Sequence, residues 1–135
     1  MKTIKLKFAL LIVLFFNLFA SAQNAPSQAP TNQMPANTIC IKDMGADDAN
    51  TYFSNSQVYN FEIYKVTDIN KVLESIRKDK NIEGCLGGKV IGDYTQVMIS
   101  LSSKQNKAWF IAQFKKAGLN TIRINHQEVK TVEKM

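Results

Sequence analysis

The stretch VYNFEIYKVTDINKVLESIR, residues 58–77, contains the two hydrophobic periods that decide the fold. In its first part Tyr59, Phe61 and Ile63 alternate with more polar residues. Successive side chains of a β-strand point to opposite faces, so this alternation predicts a strand with one buried face.

The second part of the stretch has apolar residues spaced three and four positions apart, which is the spacing of one helical face. Thr67 or Asp68 precedes it, and a short side-chain oxygen there can accept from the free N–H groups of the first turn. The sequence therefore predicts a helix whose buried face is Ile69, Val72, Leu73 and Ile76.

The same alternation of strand and helix patterns recurs further along the chain. Residues 86–91 (LGGKVI) and 95–101 (TQVMISL) are typical of two strands joined by a Gly-Asp turn. Ser102 or Ser103 can cap a second helix, and residues 120–129 predict a last strand. Gly118 suits the left-handed residue that ends a helix. The buried stripe of the second helix is expected to be Phe110, Ile111, Phe114 and Ala117.

The predicted element order, β-α-β-β-α-β, indicates an α+β fold of the ferredoxin-like sandwich type. Two helices would cover one face of a four-stranded antiparallel sheet. This domain is expected to span residues 58–130, followed by a tail at 131–135. Residues 39–57 form an extension that packs on it, in which Ile39 and Ile41 could add an edge strand and GADDANT would be a loop.

The N-terminal residues indicate export. Residues 1–22 combine a basic start, an apolar run of about 12 residues and a small-residue end, which is the pattern of a cleaved signal peptide. The run is shorter than the ~20 residues of a spanning helix, so no membrane span is expected after cleavage. Residues 23–38 hold all three prolines and no charge, which predicts a disordered Pro/Asn/Gln-rich linker. The protein is expected to be secreted or periplasmic.

Length and charge limit the partners. Removal of residues 1–22 leaves a mature chain of 113 residues, the size of one domain. It also removes three lysines, which lowers the formal net charge from +6 to +3. So mild an excess does not indicate nucleic acid, and export argues further against it.

From Phe61 to Asn125 the pattern resembles a heavy-metal-associated (HMA) domain. The matching features are a strand, a helix carrying Val72, Leu73 and Ile76, the IEG at residues 82–84, and FKKAGL at 114–119. The resemblance implies the βαββαβ fold. HMA domains bind a soft metal through CxxC in the loop before the first helix, but the equivalent stretch here, KVTDINKV, has no cysteine. The family's metal site therefore cannot be assigned to this chain.

A second family has the same element order. Residues 95–124 resemble the second half of a sporulation-related repeat (SPOR) domain, which binds peptidoglycan. SLSSK stands where that family has a glycine-phenylalanine turn. This resemblance implies peptidoglycan binding as an alternative function.

The chain has two cysteines. An even number in an exported chain favours a disulfide, Cys40–Cys85. A buried free thiol, a metal ligand and a nucleophile are the alternatives. The metal alternative, a copper or zinc site, would use Cys40 and Cys85 with Met44 or Met98 as helpers, because soft sulfur ligands select such ions. Otherwise no cofactor is expected.

The remaining residue types favour binding over catalysis. His126 is the only histidine, and no nucleophile turn accompanies it, so the protein is not expected to be an enzyme. Aromatic residues and one methionine could form a binding surface on the open side of the sheet. Alternatively, residues 39–57 fold over that side. The predicted surface is Tyr52, Phe53, Tyr64, Tyr94 and Met98.

The sequence thus predicts a small exported non-catalytic binding module with a degenerate HMA-like domain. Its partner would be an unknown protein or a component of the cell envelope.

Overall fold

The computed structural model describes residues 33–42 and 49–135. The predicted signal peptide (1–22) and residues 23–32 of the predicted linker lie outside this range. The strands are β1 (Thr38–Ile41), β2 (Val58–Tyr64), β3 (Ile82–Ile91), β4 (Tyr94–Leu101), β5 (Thr121–Ile124) and β6 (Lys130–Thr131). The helices are α1 (Ala49–Ser54), α2 (Ile69–Arg77) and α3 (Lys107–Lys116), with a 3₁₀ helix at Val132–Lys134.

The α+β class is confirmed, and the two longer helices lie where the sequence predicted them. Asp68 caps α2 by accepting a hydrogen bond from the Lys71 backbone N–H at 3.0 Å. The cap of α3 is Asn106, which accepts from the Trp109 N–H at 3.0 Å. The predicted caps Ser102 and Ser103 are wrong, because the chain stays irregular for several residues after β4 before the helix starts.

The sheet has six strands in the order β3-β4-β2-β1-β5-β6, not the predicted four antiparallel strands. The strand β1 pairs antiparallel with β2 on one side and parallel with β5 on the other. The extension therefore supplies an internal strand, and the expectation of an edge strand is wrong.

Burial explains the position of β1. All four of its residues are buried, including Thr38, which the sequence assigned to the disordered linker. The Thr38 hydroxyl lies 2.7 Å from the Thr121 hydroxyl on β5. A strand that is paired on both edges and buried on both faces does not need to alternate polar and apolar residues. The short, mostly apolar sequence of β1 therefore fits an internal position.

Three helices cover one face of the sheet. The short helix α1 begins at Ala49, inside the stretch predicted as a loop, and Phe53 is fully buried. Its ring centroid lies 4.3 Å from that of Phe110 on α3. Tyr52 and Phe53 therefore pack on the helix side of the sheet, and they do not belong to the predicted binding surface. The alternative, in which this segment folds over the open side of the sheet, is not met by Tyr52 and Phe53 either, because both pack on the helix side.

The C-terminal residues also belong to the domain. Val132 is fully buried in the core, and the Met135 carbonyl accepts from Lys107 Nζ at 2.9 Å. The predicted boundary at residue 130 is thus wrong. Within the described part of the chain, no helix has the length and apolar character needed to cross a membrane.

Candidate functional site

The face of the sheet opposite the three helices is here called the open face. Buried residues such as Phe61 and Val97 point toward the helices. Their neighbours along the strands point the other way, because side chains alternate in a strand. The open face is made of Cys40 on β1, Asn60, Glu62 and Tyr64 on β2, Leu86 on β3, Tyr94, Gln96 and Met98 on β4, and Arg123 on β5.

A concave region of about 580 Å³, here called the sheet groove, occupies part of the open face. Leu86 and Met98 lie opposite each other on β3 and β4, and both are exposed, Leu86 to 57%. The lining thus combines apolar and charged side chains, which is the mixed character of surfaces that bind other molecules. Its lining includes Cys40, Lys42, Glu62, Leu86, Gln96 and Met98.

An ion pair crosses the groove between β1 and β2. Lys42 Nζ lies 2.7 Å from Glu62 Oε2 and 5.2 Å from the centre of the Tyr94 ring. The hydrogen bond to Glu62 raises the pKa of Lys42, so this lysine stays charged. The pair places one fixed positive and one fixed negative group beside the apolar side chains.

The structure places three of the predicted surface residues on the open face. Tyr64 and Tyr94 are direct cross-strand partners, and their ring centroids lie 5.3 Å apart. Met98 lies on the same strand and face as Tyr94 and lines the groove. Their role in binding stays a prediction.

Cys40 lies on the open face but is covered. It is 2% exposed, and its Sγ lies 3.6 Å from Met34 Sδ. Burial raises the pKa of the Cys40 thiol, and the neighbouring Arg123 guanidinium opposes this only in part. The thiol is therefore protonated at neutral pH and donates to the thioether.

Cys85 faces the opposite way. It pairs with Ile99 of the core and is 4% exposed on the helix side of the sheet. Burial also raises the pKa of this thiol, with Arg77 acting in the lowering direction. Its backbone carbonyl accepts from Arg77 Nε at 3.1 Å and from Nη2 at 2.8 Å.

The predicted disulfide is not formed, since Cys40 and Cys85 are both free thiols. Two strands lie between β1 and β3, so the cysteines are at least three strand spacings, about 14 Å, apart. A disulfide needs Cα atoms within about 7 Å. The same separation prevents the two sulfurs from binding one metal ion, as the metal alternative required. Met44 lies outside the described residues.

Metal-ligating side chains do not cluster among residues 33–42 and 49–135. These residues contain no group of three or more His, Cys, Asp or Glu side chains that could hold a metal. His126 is exposed in a turn after β5. The strand ends at Ile124, so the strand predicted over residues 120–129 is too long by five residues at its C-terminal end.

Sequence reasoning missed several residues of this site. Alternation in β2 already placed Asn60 and Glu62 on the outer face, and Gln96 follows from the same argument for β4. The position of Lys42 could not be inferred, since it depends on β1 being internal. Met34 gave no signal, because it lies in a stretch whose composition predicted disorder.

No protein-family model matches this sequence, and neither curated proteins nor solved structures give a match. The likeness to HMA domains therefore rests on the residues quoted above.

Proposed function

We propose that this protein is an exported, non-catalytic binding module whose sheet groove holds a segment of a protein partner in the cell envelope or outside the cell. The observation that carries the proposal is the groove itself, in which exposed Leu86 and Met98 lie beside the Glu62–Lys42 ion pair. Apolar side chains next to fixed charges can bind a polypeptide segment that carries both apolar and charged side chains.

The finer fold assignment belongs to the same proposal. We interpret the domain as a ferredoxin-like sandwich whose sheet contains an additional strand. Four of its strands, β3, β4, β2 and β5, correspond to the predicted repeat, and adjacent β3, β4 and β2 are antiparallel. The additional strand β1 lies between β2 and β5. The HMA-like ancestry would then concern the fold and not the metal site.

The test is capture of the partner by the mature protein in extracts of its own cell envelope, with variants of matched charge. Met98→Asp puts a carboxylate into the groove. Ala108→Asp adds the same charge at an exposed position on α3, on the other side of the sheet. The proposal expects one partner to be retained by the wild type and Ala108→Asp and lost with Met98→Asp. Retention by all three proteins would contradict it.

Binding to purified sacculi tests the alternative that the protein binds peptidoglycan. Binding of the mature protein to protein-free sacculi, with loss in Met98→Asp, would replace the protein partner by peptidoglycan. We expect no such binding.

A second candidate function is binding of a soft metal ion, and the Cys40–Met34 pair favours it. Its sulfurs lie 3.6 Å apart, and thiolate and thioether are the soft ligands that select Cu(I). Zinc is the weaker choice, because structural zinc prefers four ligands.

Competition with a copper chelator under anaerobic conditions tests this second candidate. Uptake of one copper per chain should be lost in Cys40→Ser and Met34→Leu. It should be kept in Cys85→Ser, which removes a similarly buried thiol from the other side of the sheet. Equal loss in Cys85→Ser, or no uptake by the wild type, would argue against copper binding.

A further inference from the structure

The strand β3 forms one end of the sheet. It pairs with β4 on one side, and no described strand pairs with its other side. The Cys85 carbonyl accepts two hydrogen bonds from the Arg77 guanidinium, which indicates that it points to this edge of the sheet. Because alternate residues of an antiparallel strand point the same way, the backbone groups of Gly87 do so as well. The edge thus offers backbone donors and acceptors to an added strand, with Arg77 occupying the Cys85 carbonyl until that strand binds.

Exposed apolar side chains concentrate on the same strand. Val90 is 64% exposed and Ile91 49%, and together with Leu86 they are three of the five large hydrophobic residues exposed in the described chain. A free strand edge flanked by such side chains is a typical site for pairing with another polypeptide.

We propose that two copies of this protein associate through antiparallel pairing of their β3 strands, with the two-fold axis at Leu86. In this register Cys85 of one copy faces Gly87 of the other, so the edge-facing backbone groups of both strands meet once Arg77 has left the Cys85 carbonyl. The two Leu86 side chains lie opposite each other on the open face. Ile82 of one copy comes next to Val90 of the other.

The charges of β3 select this register. Glu83 and Lys89 are both exposed, and neither forms an ion pair within the described residues. Each lies three positions from Leu86, just outside the regular stretch Gly84–Gly87, so the two-fold axis brings Glu83 of one copy near Lys89 of the other, twice. A shift of the axis to Cys85 or Gly87 loses both pairs. Cross-strand pairs of opposite charge stabilise a sheet, and like charges directly opposite destabilise it.

Two features limit the strength of the dimer. The pairing of β3 with β4 shifts register between Ile82 and Gly84 and again between Gly87 and Val90, so the regular stretch is short. Bulges of this kind weaken edge pairing. Arg77 also has to leave the Cys85 carbonyl. The interface is smaller than the ~1,600 Å² of a standard complex, and we expect a dissociation constant of roughly 10 μM to 1 mM.

Sedimentation of the mature protein between about 10 μM and 1 mM tests the proposal in that range. The wild type should dimerise. Glu83→Lys and Lys89→Glu, each alone, should dimerise on the order of tenfold more weakly, because both ion pairs become repulsive. An equimolar mixture of the two variants should recover the dimer as a heterodimer, since opposite charges then face each other.

The controls carry the same charge changes elsewhere. Glu128→Lys and Lys104→Glu lie at exposed positions outside β3 and should dimerise like the wild type. Arg77→Ala frees the Cys85 carbonyl and should dimerise several-fold more tightly. A wild type that stays monomeric at 1 mM would overturn the proposal. So would dimers unaffected by Glu83→Lys, or a mixture no stronger than the single variants.

Discussion

Gln113 on α3 donates a hydrogen bond from Nε2 to Asp79 Oδ2, at 2.8 Å. Gln113 is only 4% exposed, so its amide depends on this bond. The other carboxylate oxygen, Oδ1, accepts from the backbone and side chain of Asn81, each at 2.9 Å. One aspartate thus joins α3 to the turn between α2 and β3, and it helps to set where β3 begins.

Gln113→Glu should destabilise the fold by about 1–3 kcal/mol at pH 7, because a buried carboxylate would face Asp79 without a proton to donate. The loss should shrink as the pH falls and the new carboxyl becomes protonated. Urea unfolding at pH 7 and pH 4 measures both effects. Gln105→Glu, at a half-exposed position before α3, is the control. An equal loss at both pH values would argue against the contact.

Ile39→Ala should cost about 2–5 kcal/mol of unfolding free energy, since Ile39 is fully buried on an internal strand. The comparison is Leu86→Ala on the exposed edge strand, which should cost less than about 1 kcal/mol. Chemical denaturation measures both. Similar small losses would mean that β1 lies at an edge of the sheet.

Gly87→Ala should destabilise the fold by roughly 1 kcal/mol. A Cβ at Gly87 would lie 2.8 Å from Leu73 Cδ1, so the end of the Leu73 side chain on α2 has to shift to admit a methyl group. Gly88→Ala is the matched control, because its Cβ would meet only atoms at 3.5 Å or more. It should stay within about 0.5 kcal/mol of the wild type. Equal effects of the two substitutions would contradict the close helix–strand packing.

Thiol titration of the mature protein without reductant should give two thiols per chain in denaturant. In the native protein both should react slowly, because Cys40 and Cys85 are buried and burial raises the pKa of each. If no thiol titrates in denaturant, the cysteines are bonded, and the strand order around β1 must differ.

Alkaline pH should destabilise the protein through the same thiols. Their folded-state pKa values are raised, so full stability holds below the ordinary thiol pKa. Stability is then lost as the pH rises through the raised values, because the unfolded chain releases its protons first. Burial raises the pKa of Tyr59 in the same direction. Urea midpoints from pH 7 to pH 10 should fall less steeply for Cys40→Ala/Cys85→Ala than for the wild type.

Local patterns in the sequence were enough to predict α2, α3 and the strands β2 and β4. Their apolar residues repeat at helical or alternating spacing, and such periods arise within one element whose single face is buried. The Asp68 cap and the left-handed Gly118, with φ of 78°, follow from equally local chemistry.

The candidate site could be predicted only in part. Alternation is consistent with Tyr64 and Met98 on the outer side of their strands. It would have placed Glu62 and Gln96 there too, although these two were not among the predicted site residues. It could not show that Phe53 packs on Phe110, because a six-residue helix carries too little pattern to fix its position.

What the sequence alone determined was the buried face of β2 and β4 and most of that of α2. For α3 it was right for Phe110 and Phe114. Gln113 is buried as well, whereas Ile111 and Ala117, which were expected to be buried, are only partly covered.

The tertiary structure decided which strands are neighbours, and with that the separation of Cys40 from Cys85 and the position of Lys42 beside Glu62. The physical reason is that β1 has only four residues, all of them buried. Its place between β2 and β5 depends on contacts with residues far along the chain. The spacing of apolar residues within one element contains no information about such contacts.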